Sequence, residues 1–546
     1  HRRACSRRVH QRPARRDSPD TKRTRRPGHD GRIRLRRALK RLDFHHLLIG
    51  LALVMALATV VYWAGLARGG LYATEGHRAI SSWACADSGD WLAPRLFEQV
   101  YLRKPPGLQW LIGGFSLLLG QSEHAARAPL ALCATLGALL SLLFAGRWFG
   151  WRWAWVAGAM HVLTPLTWVP GRSAEIEALN ALGTQAAAFA LVDLLIGNRA
   201  RAKAVPMVAL GSCGIFVCAL AKGPASLPLL PALLLACCVV SGSPAPLIRR
   251  APWLAIAIGL GAICVPAFLI ASHVQRLGVT PVTQGVSEFL WSLERVPKVL
   301  AMPFGAIAAA APLTIAILFP FGRHAHRETM RRDPASFEIA QALAVTSLLA
   351  LAIYMLAGVH NPRYAMPATI ILAPLWAYLL RGMSAVGPCP MTRVRRIWAR
   401  FLTLWHPAVL AGLMLILFSV YFVYVEPRRA GTSGRDAALS IAPHIPAGSV
   451  VLAKDMVEAR PETLWYAARA VAANDPSGAS VVIRWEPYDI PDARPGTLLF
   501  LRTDDMSREA QVVQERGWPR IEPVVSVRVH KYDATLYRVV ERVIPE

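Results

Sequence analysis

Long uncharged apolar runs recur along most of this sequence, and they constrain its fold more than any other feature. The stretches 47–66, 253–271 and 404–425 contain no Asp, Glu, Lys or Arg. A helix of about 20 residues spans the ~30 Å hydrocarbon layer of a bilayer. The 546-residue chain is 54% hydrophobic and only 17% charged, a balance that excludes an ordinary soluble protein. The sequence therefore predicts a polytopic α-helical membrane protein.

The apolar runs predict about 11 transmembrane helices. Basic residues gather in alternate turns, such as 199–203, 249–250 and 323–332, and Lys and Arg favour the cytoplasmic side. This pattern places the N-terminus in the cytoplasm and the C-terminal part on the outer, periplasmic side of the inner membrane. The predicted spans are 47–66, 128–144, 153–168, 181–196, 205–220, 227–240, 253–271, 301–319, 340–357, 368–380 and 404–425. The shorter apolar stretch 107–119 predicts an interfacial or re-entrant helix.

The positive charge of the chain is concentrated at its start. The formal net charge is +27, and residues 1–43 hold 17 Lys and Arg against 4 Asp and Glu. This segment has few core-forming residues, which predicts a basic disordered cytoplasmic tail near anionic lipid headgroups. No aromatic interleaving or fold signature accompanies the charge, so we expect membrane lipids, and no nucleic acid, as partners.

The composition changes after residue 425, which divides a transmembrane domain, 44–425, from a C-terminal domain, 426–546. The later part contains the β-rich runs SVVLAKD, SVVIRWE, GTLLFLR and ATLYRVV, with the helical patterns ARPETLWYAARAV and SREAQVVQERG between them. Alternating strand and helix signals predict a small α/β domain outside the membrane. It has no glycine-rich phosphate loop, so we expect a structural or acceptor-docking role.

Polar residues concentrate in the first predicted outer loop, 68–106. This loop includes Glu75, His77, Arg78, Asp87, Asp90, Arg95, Glu98, Arg103 and Lys104. The predicted topology brings the segments 172–177 and 360–364, together with Lys222, to the same membrane face. Acids and cations at one face suit a reaction that activates a hydroxyl and holds a phosphate.

A family resemblance is carried by the first outer loop and its flank. They read TEGHRAISSWACADSGDWLAPRLFEQVYLRKPPGLQWL and SEHAARAPLAL, and GRSAEIEA, LAKGP and NPRYAMP follow further along. These segments resemble, in the same order, bacterial glycosyltransferases that use lipid-phosphate sugars, the superfamily of aminoarabinose transferases and protein mannosyltransferases. The resemblance covers about residues 47–380. It implies a GT-C fold, in which transmembrane and interfacial helices surround a cavity open to the outer face.

The resemblance also implies roles for two acids. The first loop of the family usually carries an Asp-Glu pair followed two residues later by Arg, and the corresponding residues here are Thr74, Glu75 and His77. The first family acid is taken as the general base. Because Thr74 stands in that position, our hypothesis gives this role to Glu75. The second family acid corresponds to Glu177, or alternatively to Glu175, and would orient the acceptor or support a divalent cation.

Further residues correspond to the donor-phosphate positions of the family. Lys104 matches a Lys-Pro position, Lys222 and Tyr364 match positions associated with the lipid phosphate, and we expect Arg363 to join them. Snorkelling at the interface is the alternative for the lysines, and a place in the aromatic belt is the alternative for Tyr364. Loop support is the role we expect for four other residues: Thr74, His77, Arg172 and, if it is not the second acid, Glu175.

These residues predict a membrane glycosyltransferase that moves a sugar from a polyprenyl-phosphate donor to a lipid, glycan or protein acceptor, with inversion. No cofactor is predicted apart from the divalent cation considered for Glu177. A catalytically inactive relative that acts as a lipid-binding scaffold is the main alternative, because Thr74 is not an acid. A transporter is less favoured, since the charges lie at span ends and no inverted repeat is visible.

Overall fold

The computed structural model describes residues 27–72, 74–197, 201–283, 296–315, 333–385, 409–475, 479–485, 494–503 and 520–541. Its helices are α1 (Pro27–Ala58), α2 (Glu75–Ser88), α3 (Gly107–Leu119), α4 (Glu123–Phe149), α5 (Trp151–Val162), α6 (Pro165–Trp168), α7 (Glu177–Leu195), α8 (Arg201–Lys222), α9 (Leu229–Ser241), α10 (Ala245–Ile248), α11 (Arg250–Leu277), α12 (Val296–Ala309), α13 (Pro334–Leu356), α14 (Met366–Ile370), α15 (Leu375–Ala385), α16 (Val409–Arg429), α17 (Arg435–Ile441), α18 (Lys454–Ala459) and α19 (Pro461–Asn474). Its strands are β1 (Arg95–Leu96), β2 (Gln99–Leu102), β3 (Val282–Thr283), β4 (Val450–Leu452), β5 (Val482–Arg484), β6 (Leu498–Arg502), β7 (Arg520–Val529) and β8 (Tyr532–Glu541).

Among the described residues, seven helices are long and apolar enough to cross a membrane. They lie at Leu42–Trp63, Glu123–Phe149, Glu177–Leu195, Ala204–Ser226, Arg250–Leu277, Pro334–Leu356 and Val409–Arg429. A further pair, Pro362–Ile370 and Leu375–Gly382, is bent by 46° and makes an eighth if it is one span. The helical membrane architecture is therefore confirmed, whereas the described residues do not confirm the predicted eleven crossings.

The other predicted spans fall on helices that are too short to cross a bilayer alone. The predicted span 153–168 breaks at Thr164, whose backbone is extended, because a residue before proline avoids the helical conformation. The predicted span 227–240 corresponds to α9, which has 13 residues. At 1.5 Å per residue, that helix extends only about 20 Å. The predicted span 301–319 overlaps α12, and its residues 316–319 lie outside the described part.

The predicted tail is covered only in part. Residues 27–43 lie within α1, in contrast to the disorder expected for them. Residues 1–26 lie outside the described part of the chain. The helical part of the expected tail is therefore continuous with the first apolar span.

The predicted outer loop 68–106 has secondary structure of its own. It contains α2, which ends at Gly89 in the left-handed conformation, with a φ of +70°, as glycine permits without steric cost. The short strands β1 and β2 then pair antiparallel, and β2 pairs in parallel with β3. This loop leads into α3, the short helix predicted from the apolar stretch 107–119.

The strands after α16 form one five-stranded sheet in the order β5-β4-β6-β8-β7. β4 pairs in parallel with β5 and β6, and β8 pairs antiparallel with β6 and β7. All four β-rich runs of the sequence form strands. β7 was not predicted, because Pro523 interrupts its pattern; a register shift between Pro523 and Val525 accommodates it. The helical pattern 459–471 corresponds to α19, and the pattern at 507–517 lies outside the described residues.

Two hydrophobic clusters divide the interior. One lies between the membrane helices, while the second joins α2 and α3 to the C-terminal sheet and its helices. In the second cluster the ring centroids of Trp83 and Trp465 are 4.6 Å apart. Nearby, the backbone N–H of Leu71 donates to the Tyr466 hydroxyl at 2.8 Å, and this hydroxyl donates to Glu123 at 2.7 Å. The C-terminal residues are thus built directly against the predicted outer loop.

Candidate active site

Two carboxylates and two cations meet where α7, α8 and a 3₁₀ helix, Pro362–Ala365, adjoin. Lys222 Nζ lies 3.5 Å from Glu177 Oε1. Arg363 Nη1 lies 3.1 Å from Glu175 Oε2, and its Nε lies 3.6 Å from Glu177 Oε1. The Lys222 ammonium is also 3.9 Å from the centroid of the Tyr364 ring, a cation–π contact. The structure therefore brings together five residues that were named from the sequence; we call them the polar cluster.

The acids of the polar cluster are buried, while one of its cations reaches solvent. Glu175 and Glu177 are each 3% exposed, whereas the Arg363 side chain is 35% exposed. Burial raises the pKa of Glu175 to about 7, and the negative charge of Glu177 adds to this rise, against the opposing effect of Arg363. A carboxyl group with a pKa near neutrality is suited to accept a proton in a reaction.

Lys104 approaches the polar cluster through the packing of two turns. Lys104 lies two residues after β2 and precedes Pro105, and Lys222 precedes Gly223 at the end of α8. Gly223 has a φ of +66°, and a Cβ atom on it would lie 3.5 Å from Pro105 Cγ. Lys104 is close enough to Lys222 to interact with it electrostatically. Two cations held near each other create a positive potential that attracts an anion.

The backbone of Arg363 is fixed from two sides. Asn361 Oδ1 accepts a hydrogen bond from the Arg363 backbone N–H at 3.1 Å. Pro362 covers Gly305 of α12 so closely that a Cβ atom on this glycine would lie 2.8 Å from the proline ring. These contacts fix the backbone position from which the Arg363 side chain extends. Its planar guanidinium then reaches the carboxylates of Glu175 and Glu177.

Glu75 lies in a different, fully occupied network. Arg127 donates from Nε to Oε1 at 2.8 Å and from Nη2 to Oε2 at 2.7 Å. The backbone N–H groups of Ala174 and Tyr72 donate to Oε1 and Oε2 at 2.8 and 3.1 Å. Glu75 is 0% exposed, and each of its carboxylate oxygens accepts two hydrogen bonds. This environment does not suit the general base predicted for Glu75, because every favourable acceptor direction is already used.

The segment that carries the two acids of the polar cluster is anchored just before them. Arg172 donates to both carboxylate oxygens of Glu426 at 2.7 and 2.9 Å, and to two backbone oxygens at the end of the first span at 2.7 and 2.6 Å. Two residues later, the Ala174 N–H is held by Glu75. Arg172 therefore has a structural role in this loop, and Glu75 acts on the neighbouring acids through the backbone.

Thr74 and His77 flank the start of α2. Thr74 is the N-cap residue, yet its side chain makes no capping hydrogen bond. His77 Nε2 lies 3.0 Å from the backbone oxygen of Glu458, and its ring centroid is 5.9 Å from that of Tyr101. Burial, assisted by the positive charge of Arg78, lowers the pKa of His77 to about 3. His77 is therefore neutral and joins α2 to α18.

Arg78 was not selected from the sequence as a site residue. Its Nε and Nη1 atoms are buried and have no hydrogen-bond partner among the described residues. Its charge lies close enough to Glu177 to interact with it. A desolvated guanidinium with unpaired donors is suited to bind an anion. A sequence signal for Arg78 existed. The family that the sequence resembles carries an arginine at the position of His77, which directly precedes Arg78.

Among the described residues, no set of side chains is arranged as ligands for the divalent cation that was considered from the sequence. No group of three or more His, Cys, Asp or Glu side chains there is arranged to hold a metal ion. The two acids of the polar cluster face Lys222 and Arg363 instead. The chemistry that these residues support by themselves is phosphate binding by cations beside a carboxylate base.

Comparisons with known proteins identify the fold. Residues 103–270 match the family model of dolichyl-phosphate-mannose-protein mannosyltransferase, over less than half of the chain. The crystal structure of ArnT from Cupriavidus metallidurans bound to undecaprenyl phosphate is similar, with 18% identity and a TM-score of 0.65, covering 91% of this chain and 99% of that chain. The apo structure of the same protein is similar as well, with 18% identity and a TM-score of 0.64, covering 89% of this chain and 97% of that chain. No curated protein sequence matches significantly.

Proposed function

We propose that this chain, which has the GT-C fold of membrane glycosyltransferases, moves a sugar from a polyprenyl-phosphate donor to a lipid, glycan or protein acceptor at the outer face of the inner membrane. The GT-C fold expected from the family resemblance is confirmed by the similarity to ArnT. The observation that carries the proposal is the polar cluster, where Lys222 and Arg363 lie within 4 Å of two buried carboxylates.

The cations support the binding of the donor phosphate. Lys222 and Arg363 contact the two carboxylates, Lys104 approaches through its turn, and Arg78 adds two unpaired donor atoms. Four cations around two acids leave an excess of positive charge that complements a phosphate. The similar ArnT structure has undecaprenyl phosphate bound, which favours a lipid phosphate over a soluble one.

Glu175 is better placed than Glu75 to act as the general base. Its carboxylate contacts Arg363 and belongs to the cluster, whereas Glu75 is saturated by Arg127 and two backbone donors. The pKa of Glu175, raised to about 7, matches the range in which a base is effective. We therefore assign proton transfer to Glu175, with Glu177 holding the cations and orienting the acceptor.

The proposed transfer is a single displacement at the anomeric carbon. The acceptor hydroxyl or amine attacks this carbon from the face opposite the phosphate, which inverts the configuration. The bond from the anomeric carbon to the phosphate oxygen breaks, its electron pair stays on the polyprenyl phosphate, and Glu175 takes the acceptor proton. The four cations stabilise the negative charge that develops on the leaving phosphate.

A lipid-binding protein without transferase activity is the second candidate function. Thr74 stands where the family has an acid, and Glu75 beside it is engaged in its own ion pair. In this alternative the cations still bind a polyprenyl phosphate, but no group accepts the acceptor proton. Both candidate functions predict donor binding, but only the transferase predicts turnover.

The deciding experiment incubates the purified full-length protein with a panel of polyprenyl-phosphate sugars and membrane extract, and measures labelled product. We expect transfer by the wild type and its loss in Glu175→Gln, with Glu98→Gln as the matched control because Glu98 is exposed and lies outside the cluster. Donor binding without transfer by the wild type would support the scaffold. The absence of both would contradict the proposed function.

A further inference from the structure

A cleft that does not include the polar cluster lies between the membrane helices and the C-terminal residues. One cavity in it, of about 290 Å³, is lined by residues that include Gln121, Glu123, Arg435 and Arg469. A second cavity, of about 420 Å³, shares Arg435 and is also lined by Arg68, Glu426 and Asp436. Neither cavity contains a residue of the polar cluster. The two cavities share Arg435, and we call them together the arginine cleft. Three arginines and three acids line it, and one of these acids, Glu426, is already paired with Arg172.

The two arginines of the smaller cavity are held in place while their charge stays accessible. Arg469 donates to the backbone oxygen of Gln121 at 3.3 Å and stacks on the Trp465 ring at 4.7 Å. Arg435 Nη1 lies 3.8 Å from Glu123 Oε1 and its side chain is 55% exposed. Glu123 already accepts a hydrogen bond from a tyrosine hydroxyl. Two arginines and one engaged acid therefore line the smaller cavity, which leaves a net positive charge there for a ligand.

An exposed apolar surface adjoins this positive charge. Leu117, Leu118 and Leu119 at the end of α3 are 64%, 83% and 50% exposed. Gln121 follows Leu119 by two residues, about 7 Å of extended chain, and its backbone oxygen accepts the hydrogen bond from Arg469. Three consecutive exposed leucines are unfavourable in water and favourable among acyl chains. α3 has 13 residues, too few to cross the bilayer, so it suits the interface.

The larger cavity lies at the end of two membrane spans. Arg68 follows the first span and stacks on the Phe422 ring of α16 at 4.6 Å. Beside it on α16, Val423 and Tyr424 are 57% and 59% exposed. Exposed aromatic residues beside arginine at span ends are typical of the depth of lipid headgroups. The arginine cleft is therefore at the level where a bilayer presents its phosphates.

We propose that the arginine cleft seats the headgroup of an anionic phospholipid of the surrounding bilayer. Its phosphate lies between Arg435 and Arg469, and its acyl chains run along the three exposed leucines of α3. The bound lipid joins the C-terminal residues to the membrane at a second place besides the protein contact at Tyr466. This seat is separate from the donor site and does not depend on glycosyl transfer.

The test measures lipid retention and thermal stability of the full-length protein. Native mass spectrometry follows phosphatidylglycerol that is retained after extraction from vesicles of phosphatidylglycerol and phosphatidylcholine. We expect the Arg435→Gln/Arg469→Gln variant to retain roughly thirtyfold less, about fivefold for each arginine near an anionic surface. The control variant Arg520→Gln/Arg538→Gln removes two exposed arginines of the C-terminal sheet that line neither cavity, and should retain the wild-type amount.

Two further arms separate the sources of the phosphate and the effect of misfolding. Arg435→Lys/Arg469→Lys keeps the charge and should retain most of the lipid. Phosphatidylglycerol should raise the melting temperature of the wild type, whereas inorganic phosphate should not. Equal stabilisation by inorganic phosphate, or equal lipid retention by the Gln variant and the wild type, would overturn the proposal. Because neither readout involves turnover, failure here is distinguishable from failure of the transferase.

Discussion

Arg127 and Glu75 form a buried ion pair with a shortest N–O distance of 2.7 Å, although they are 52 positions apart in sequence. The remaining Arg127 donors reach the backbone oxygens of Leu66, Arg68 and Gly70 at 2.9 Å. One side chain of α4 thereby fixes the connection between the first span and α2. An acid in such a pair has a structural function, and its loss affects the whole loop.

We expect Glu75→Gln to destabilise the protein. It removes one charge of a buried pair and leaves Arg127 uncompensated, which costs about 3 kcal/mol or more. The measurement is thermal unfolding in detergent, with the exposed Glu98→Gln as control. A variant that is as stable as the wild type but lacks transfer would instead support Glu75 as the base.

The transfer rate should depend on pH through Glu175. Its pKa of about 7 lies above the ordinary range because of burial and the charge of Glu177. A base must be deprotonated, so the rate should rise as pH increases toward 7 and level off above it. Glu175→Gln should lower kcat by roughly 10²- to 10⁴-fold, the usual contribution of general base catalysis, and remove this rise. An unchanged pH profile in that variant would exclude Glu175 as the base.

Arg78→Gln should weaken donor binding without unfolding the protein. Hydrogen bonds to charged groups contribute about 1.5–3 kcal/mol, so the dissociation constant for polyprenyl phosphate should rise roughly tenfold to a hundredfold. Native mass spectrometry of the complex measures this. Arg95→Gln in the same loop is the control, since Arg95 bonds to the backbone of Glu98. Unchanged affinity for the lipid phosphate in Arg78→Gln would remove this residue from the donor site.

Gly76→Ala should loosen the contact between α2 and α19. A Cβ atom there would lie 2.5 Å from Glu462 Oε2 and 3.1 Å from its backbone nitrogen, and overpacking of this kind costs about 1–3 kcal/mol. Gly114→Ala in α3 is the matched control, because a Cβ atom there meets nothing within 4 Å and alanine favours a helix. Equal melting temperatures for both variants would show that Glu462 moves to accommodate the added methyl group at little cost in stability.

The polar cluster was predictable because its members follow short local patterns. Glu177, Lys222, Arg363 and Tyr364 were each named from a motif of a few residues, and the structure places them in contact. The ion pair of Glu75 was not predictable in this way. Its partner Arg127 lies in SEHAARAPLAL, at the start of a membrane helix, and a single sequence does not reveal a pair formed by tertiary packing.

The membrane helices were predicted in type and position more successfully than in number. Hydropathy located α1, α4, α7, α8, α11, α13 and α16, because twenty apolar residues have one stable arrangement in a bilayer. It did not separate spanning helices from short ones such as α5 and α9. Most of α5 is buried, whereas α9 leaves Leu235 and Val239 exposed, and hydropathy does not distinguish burial in protein from exposure to lipid.

The hydroxyl of Tyr466 has a consequence for the order in which the molecule matures. It holds the N–H of Leu71 and the carboxylate of Glu123, yet it is synthesised after all of the described membrane spans. While the ribosome is still extending the chain, the loop before α2 lacks this partner and also lacks Trp465 against Trp83. The first extramembrane loop to be made is therefore among the last to reach its native packing, and a truncated chain should insert into the membrane without completing it.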